Sequence, residues 1–158
     1  MTDRERADQL LVERGLFESR TRAQAAIAAG LVTANGIVLR KPSDRVAIDA
    51  VIEAAPEHPW VSRGGLKLSA ALDHFGFDPA GRACLDVGAS TGGFTEVLLA
   101  RRARRVYAVD VGRGQLHARL RERDELVSLE ETDIRTLDPA RLPDPPDLAV
   151  ADRGWGGK

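Results

Sequence analysis

The sequence predicts an α/β fold, a small N-terminal α+β module followed by a Rossmann-like parallel sheet, and three observations carry that prediction. Apolar runs at 83–88 (ACLDVG), 105–111 (RVYAVDV), 127–134 (VSLEETDI) and 147–152 (DLAVAD) are separated by connecting stretches, the first of them a helix-length segment, GGFTEVLLARRA. Strands alternating with helices imply a parallel, doubly wound sheet. Ahead of them, two helix-period segments lead into a hairpin signal, and AAPEHP (54–59) breaks both periodicities and reads as a linker. Two domains are therefore expected, residues 1–58 including the linker and residues 59–158.

The composition agrees with a globular chain. A hydrophobic fraction of 43% beside 30% charged residues, over 158 residues, can bury a core. The 15 Gly and 8 Pro follow no fixed period, which excludes collagen-like and solenoid folds. No apolar run approaches the ~20 residues that cross a bilayer. The N-terminus, MTDRERADQ, is charged where a signal peptide needs an apolar centre, so a cytoplasmic protein without a membrane span is expected. One cysteine, Cys84, allows no internal disulfide and no cysteine-based zinc site, and the three histidines are scattered; no metal is expected. A net charge of −1 advertises no polyanion partner globally, so nucleic-acid binding must come from local clustering. Of the 23 basic residues only Lys41, Lys67 and Lys158 are lysine, which makes an internal lysine worth noticing.

Residues 3–14 read as an amphipathic helix with Ala7, Leu10 and Leu11 on one face, closed by Gly15. Ser19 can cap a second helix, RTRAQAAIAA, which Gly30 ends. LVTANGIVL holds two apolar runs around Asn35-Gly36, a pair suited to the positive φ of a tight hairpin turn. One further strand is expected near 46–53, VAIDAVIE.

This module resembles the S4 RNA-binding domain over about fifty residues. The likeness rests on Arg6-Ala7-Asp8 with Leu11, on Gly15, on Ser19-Arg20 with Ala23 and Ile27, and on Gly30 followed by Val32 and Asn35-Gly36. It implies docking to structured RNA, with Arg6, Arg20 and Arg22 as phosphate contacts that position the protein and carry little sequence information. A single arginine would be read as a solvated helix face; three at this spacing in this motif favour RNA.

In the second domain, Asp86, Asp110, Asp133 and Asp152 are all expected at or next to the carboxyl ends of strands, where doubly wound sheets bind their ligands. The intervening loop, Gly88-Ala89-Ser90-Thr91-Gly92-Gly93, has Ser90 where a dinucleotide fingerprint needs its second Gly, and it lacks the Gly-Lys-Ser/Thr of a phosphate-binding loop. It does match G-x-S-x-G, the nucleophile elbow of serine hydrolases. That reading fails on its partners, because the only histidine after Ser90 is His117, with no His after the fourth strand. What remains is a Gly-rich turn preceded by Asp86 and followed 24 residues later by Asp110, an acid placed to accept hydrogen bonds from ribose hydroxyls. A crevice rimmed by carboxylates suits S-adenosylmethionine, whose sulfonium and amino groups are cationic. Asp133 would then lie near the adenine edge.

SRGGLKL (62–68), LDVGASTGGFT (85–95), YAVDVGRGQL (107–116), TDIR (132–135) and DLAVAD (147–152) resemble successive motifs of the TlyA, or hemolysin A, family. Its members join an S4 domain to an FtsJ-like methyltransferase domain that methylates ribose 2′-hydroxyls of ribosomal RNA cytidines. The likeness runs from about Arg4 to Asp152. It implies S-adenosylmethionine as cofactor, held by Asp86, Gly88, Ser90, Gly92, Gly93, Asp110 and Asp133, and ribosomal RNA or ribosomal subunits as partner, with no obligate protein partner. Of the family's Lys-Asp-Lys-Glu catalytic set, Lys67 matches the first Lys and Asp152 the Asp. A ribose hydroxyl is a poor nucleophile, so its proton needs a base; a lysine whose ammonium is disfavoured by burial or nearby cations can serve, with a carboxylate to orient it. After Asp152 the pattern stops: Arg153–Lys158 carry neither helix pattern nor cap, and Lys158 does not match the second Lys. The chain is thus expected to be an incomplete, C-terminally truncated methyltransferase of impaired activity, or else a non-catalytic RNA-binding remnant of one.

Two smaller features have bland readings. Arg101, Arg102, Arg104 and Arg105 suit a solvated helix end, and Cys84 suits the core.

Overall fold

The structure is a computed structural model that describes residues 2–152; Arg153–Lys158, including Lys158, lie outside the described residues. The chain divides into two compact units, Met1–Pro59 and Trp60–Lys158.

The first unit runs β1 (Arg4–Arg6), α1 (Ala7–Glu13), α2 (Arg20–Ala28), β2 (Val32–Ala34), β3 (Ile37–Val38), β4 (Arg45–Ala47) and β5 (Ile52–Ala54). Ala7, Leu10 and Leu11 of α1 pack on Ala23, Ala26 and Ile27 of α2 as the apolar stripes require. The Ser19 hydroxyl caps α2 by accepting from the Arg22 N–H. Asn35 and Gly36 take φ of 49° and 78°, closing the β2–β3 hairpin.

Two expectations are corrected. The helix expected over 3–14 starts only at Ala7, because Arg4–Arg6 pair antiparallel with Arg45–Ala47. The single strand expected near 46–53 is two strands, β4 and β5, belonging to different sheets. A turn separates them: Ala50 N–H donates to Ala47 O at 3.0 Å, and the Arg14 guanidinium donates to the carbonyls of Ala50 (2.6 Å) and Ile48. A cation at the end of one helix thus bends a segment whose own pattern is continuous.

The second unit holds α3 (Gly64–Phe75), β6 (Ala83–Val87), α4 (Gly93–Ala100), β7 (Arg105–Val109), α5 (Ala118–Arg121), β8 (Leu126–Leu129) and β9 (Leu148–Ala151). Its four strands form a parallel sheet in the order β8-β7-β6-β9. The chain steps outward from β6 to β7 to β8 and then crosses back to pair β9 with β6. Strand order therefore reverses between β6 and β9, the switch point at which doubly wound sheets open a crevice. Tyr107, buried in β7, anchors that return: its hydroxyl accepts from Asp144 N–H at 3.0 Å. Leu68 and Leu72 of α3 and Val97 and Leu98 of α4 cover the sheet around Cys84 and Val106. Cys84 is a core residue, and burial pushes its thiol up to about 11. Among the described residues no helix is long and apolar enough to cross a membrane.

Candidate functional site

The crevice is built at the carboxyl ends of β6 and β9. A cavity of about 210 Å³ opens there, with Ser62, Asp86, Ser90, Phe94 and Asp152 among its walls. Its floor is the Gly88–Gly93 loop, whose backbone needs the residues it has. Gly88 and Gly92 stand at φ of 76° and 102°, and Ser90 itself is in the left-handed region at 52°. Asp110, directly after β7, holds that strained turn: its Oδ2 accepts from Ser90 N–H and its Oδ1 from Gly112 N–H, each at 2.7 Å. A hydrolase partner for Ser90 is not built here, since His117 Nδ1 accepts from Arg119 N–H and caps α5.

Asp86 lies one residue inside β6 and is 1% exposed. Its carboxylate accepts from the Thr95 hydroxyl at 2.7 Å and from the Thr95 main chain, tying strand to helix across the loop. Burial raises its pKa to about 6 against the pull of those hydrogen bonds, and the charges of Asp110 and Asp152 add to the rise.

The catalytic candidates meet. Lys67, on the first turn of α3, donates from Nζ to Asp152 Oδ1 at 2.7 Å, although 85 residues separate them. Asp152 also lines the cavity. Lys67 keeps 62% of its side chain exposed. Its distinguishing feature is the carboxylate that fixes it.

The expected place of Asp133 is corrected. β8 stops at Leu129, so Asp133 stands four residues past the strand rather than at its end. It caps the 3-10 turn Ile134–Thr136 and pairs with Arg135 at 2.6 Å, which lowers its pKa. The acid that directly follows β8 is Glu130, and it lines a shallow depression with Ser90, Asp110 and Gln115.

Sequence reasoning missed Ser62 and Thr95 as site residues. A Cβ on Gly93 would fall 2.1 Å from Ser62 Oγ, and one on Gly65 would fall 2.3 Å from the Trp60 ring. The Ser62–Gly65 segment therefore approaches the start of α4 closely enough to demand glycine at position 93, and the Trp60 side chain demands it at position 65. Nothing in the one-dimensional pattern pairs Ser62 with Gly93. Thr95 could have been found by asking what satisfies a buried acid at the start of a Gly-rich loop.

In the first unit, Arg6 and Arg20 converge on Asp8, which is fully buried. Arg6 contributes most to holding that carboxyl far below its usual range, against burial, with help from Gln24 and Arg20. Arg22 is placed differently, donating to His58 O at 3.4 Å. The basic cluster after α4 is partly engaged in structural contacts: Arg101 pairs with Asp73 and Arg104 with Asp144, each at 2.8 Å.

Comparison with known proteins gives two family matches, an FtsJ-like methyltransferase over residues 60–155 and an S4 domain over residues 5–52. The chain is 49% identical over 156 residues to "16S/23S rRNA (cytidine-2'-O)-methyltransferase TlyA" of Mycobacterium tuberculosis strain H37Rv, covering 96% of this chain and 58% of that protein. It is 38% identical over 148 residues to "Hemolysin A" of Brachyspira hyodysenteriae, covering 93% of this chain and 62% of that one. A solved structure described as "Putative hemolysin from Streptococcus thermophilus" superposes with a TM-score of 0.59 at 39% identity, covering 94% of this chain and 56% of that one. The chain thus spans about three-fifths of the length of these curated relatives.

Proposed function

The chain belongs to the FtsJ-like methyltransferase family, with an S4 domain ahead of the methyltransferase domain, and on that premise we propose that it directs a methyl group from S-adenosylmethionine to a ribose 2′-hydroxyl of ribosomal RNA, a cytidine by likeness to its relatives. The observation that carries this reading is the Lys67–Asp152 pair at the edge of a carboxylate-rimmed crevice.

The crevice residues fit the methyl donor. The left-handed turns at Gly88, Ser90 and Gly92 keep the loop open, and Asp86 and Asp152 line a cavity of about 210 Å³ whose charge suits the cationic sulfonium and amino groups. Asp110, beside Gln115 and Glu130, would hold the ribose hydroxyls as an acceptor. When bound, S-adenosylmethionine supplies an electrophilic methyl on a sulfonium centre. Asp152 takes one of the three N–H bonds of Lys67 and so fixes the direction of Nζ. Lys67 in its neutral form then accepts the 2′-hydroxyl proton as the oxygen attacks, and Asp152 stabilises the ammonium that results. Thr95 holds Asp86, and Asp110 holds Ser90 and Gly112, so the walls are set before the ligand arrives. The S4 unit serves as the docking arm for RNA.

A second reading, RNA and cofactor binding without turnover, is favoured by one observation: the Lys67–Asp152 pair stands open at the surface, with 62% of the Lys67 side chain exposed. Ribosomal subunits incubated with the chain and methyl-labelled S-adenosylmethionine separate the two. Label at a ribose that vanishes in Lys67→Ala supports transfer. Binding of both ligands without label supports the second reading, and failure to bind the cofactor overturns both.

A further inference from the structure

Two of the three arginines that face RNA in this reading, Arg6 and Arg20, share one buried anion. Asp8 receives Arg6 through Nε at 3.0 Å and NH2 at 3.1 Å, and Arg20 through Nε at 3.3 Å and NH2 at 2.9 Å. Gln24 Nε2 at 2.8 Å and the Gln9 N–H at 3.1 Å complete its shell. A carboxylate with 0% exposure and this many donors is a fixed point, and turning either guanidinium away would break charge-assisted hydrogen bonds.

The geometry suits one phosphate. Both NH2 nitrogens contact the same oxygen, Asp8 Oδ2, so they lie within about 6 Å of each other. Charge-assisted N–H···O bonds are about 2.8 Å long, so donors at that separation can close on a single phosphate group. Asp8 takes Nε and NH2 from each guanidinium, the NH1 groups are not among those donors, and the side chains stay 38% and 51% exposed. Arg22 is tied to a different acceptor, His58 O.

We propose that Asp8 is a positioning residue that sets Arg6 and Arg20 as a two-guanidinium clamp for one backbone phosphate of RNA. The proposal rests on the RNA-docking reading of the S4 unit and deepens it. Arginines on a mobile surface lose side-chain freedom on binding; a pair already held by Asp8 has lost much of it in the free protein. The negative charge of Asp8 makes the idea discriminating. Simple Coulomb attraction predicts that removing it tightens RNA binding, whereas the clamp predicts that removing it weakens binding.

The test is fluorescence anisotropy of a labelled RNA hairpin with the intact chain across a range of salt, with thermal unfolding recorded for each variant. Replacing both Arg6 and Arg20 by Ala should weaken binding about tenfold and make the salt slope shallower by about one to two. Asp8→Asn should weaken it about three- to tenfold with a shallower slope, and should add nothing in the double-alanine background. Binding by Asp8→Asn as tight as or tighter than wild type, or a loss that adds fully to the double alanine, overturns the proposal. Should Asp8→Asn be unfolded at the assay temperature, Arg20→Lys decides: it keeps the charge but not the fork, and several-fold weaker binding is expected, unchanged binding being fatal. A wild-type chain that does not bind the hairpin even at low salt overturns the docking reading and the clamp together. Wild-type binding that ignores the double alanine overturns the clamp alone.

Discussion

Asp86 should cost the protein stability at neutral pH, and Asp86→Asn should recover it. The carboxyl is 1% exposed and burial is the main cause of its rise from 3.8 to about 6, with the Thr95 hydrogen bonds opposing and Asp110 and Asp152 reinforcing. For an acid with a raised folded-state pKa, the linked stability is fully present below the unfolded pKa, near 3.8, and is lost as pH rises through about 6. A shift of about two units corresponds to about 3 kcal/mol, since each unit is worth about 1.4 kcal/mol. Asparagine carries no charge, so the stability of Asp86→Asn minus that of wild type should grow by about 2–3 kcal/mol between about pH 4 and about pH 8. Any pH-independent cost of seating the amide beside Thr95 cancels from that difference. Urea unfolding followed by tryptophan fluorescence measures it, because Trp60 packs against the core of the second unit. A difference that stays flat with pH, or shrinks as pH rises, would refute the reasoning. The variant should also bind S-adenosylmethionine more weakly, the expected trade when a destabilising residue serves a site.

Other variants probe the same construction. Gly65→Ala places a Cβ 2.3 Å from the Trp60 ring, so despite the better helix propensity of Ala it should destabilise the second unit by about 1–3 kcal/mol in the same unfolding assay. Asp110→Asn sets an NH2 against one of the two N–H groups it now accepts, from Ser90 and Gly112; cofactor affinity by calorimetry should fall at least about tenfold. Lys67→Met should change unfolding free energy by less than about 1 kcal/mol, because an ion pair this exposed contributes little, so any loss of methyl transfer reports on chemistry rather than folding. A large drop in stability would show Lys67 to be structural.

Local chemistry made much of this protein legible in advance. Ser19, Asn35-Gly36, the α2 stripe and the alternation of strands and helices after residue 80 are written in spacings of a few residues, because caps, hairpin turns and apolar faces are decided by neighbours along the chain. Asp110 and Asp152 were legible because each directly follows an apolar strand-like run, which locates them at one end of a parallel sheet, whereas Lys67 was named only by the likeness of SRGGLKL to the TlyA family. Tertiary structure decided the rest. β1 exists only because Arg45–Ala47 lie beside it, and the 46–53 run is broken by a guanidinium from α1. The end of β8 was set by its pairing with β7, which moved Asp133 off the strand and left Glu130 at its tip. Asp86 needed Thr95, Gly93 needed Ser62, and Asp8 needed Arg20 and Gln24 from the next helix. Each of these partners is chosen by packing between elements, and periodicity along one element cannot encode which distant side chain will satisfy a buried charge.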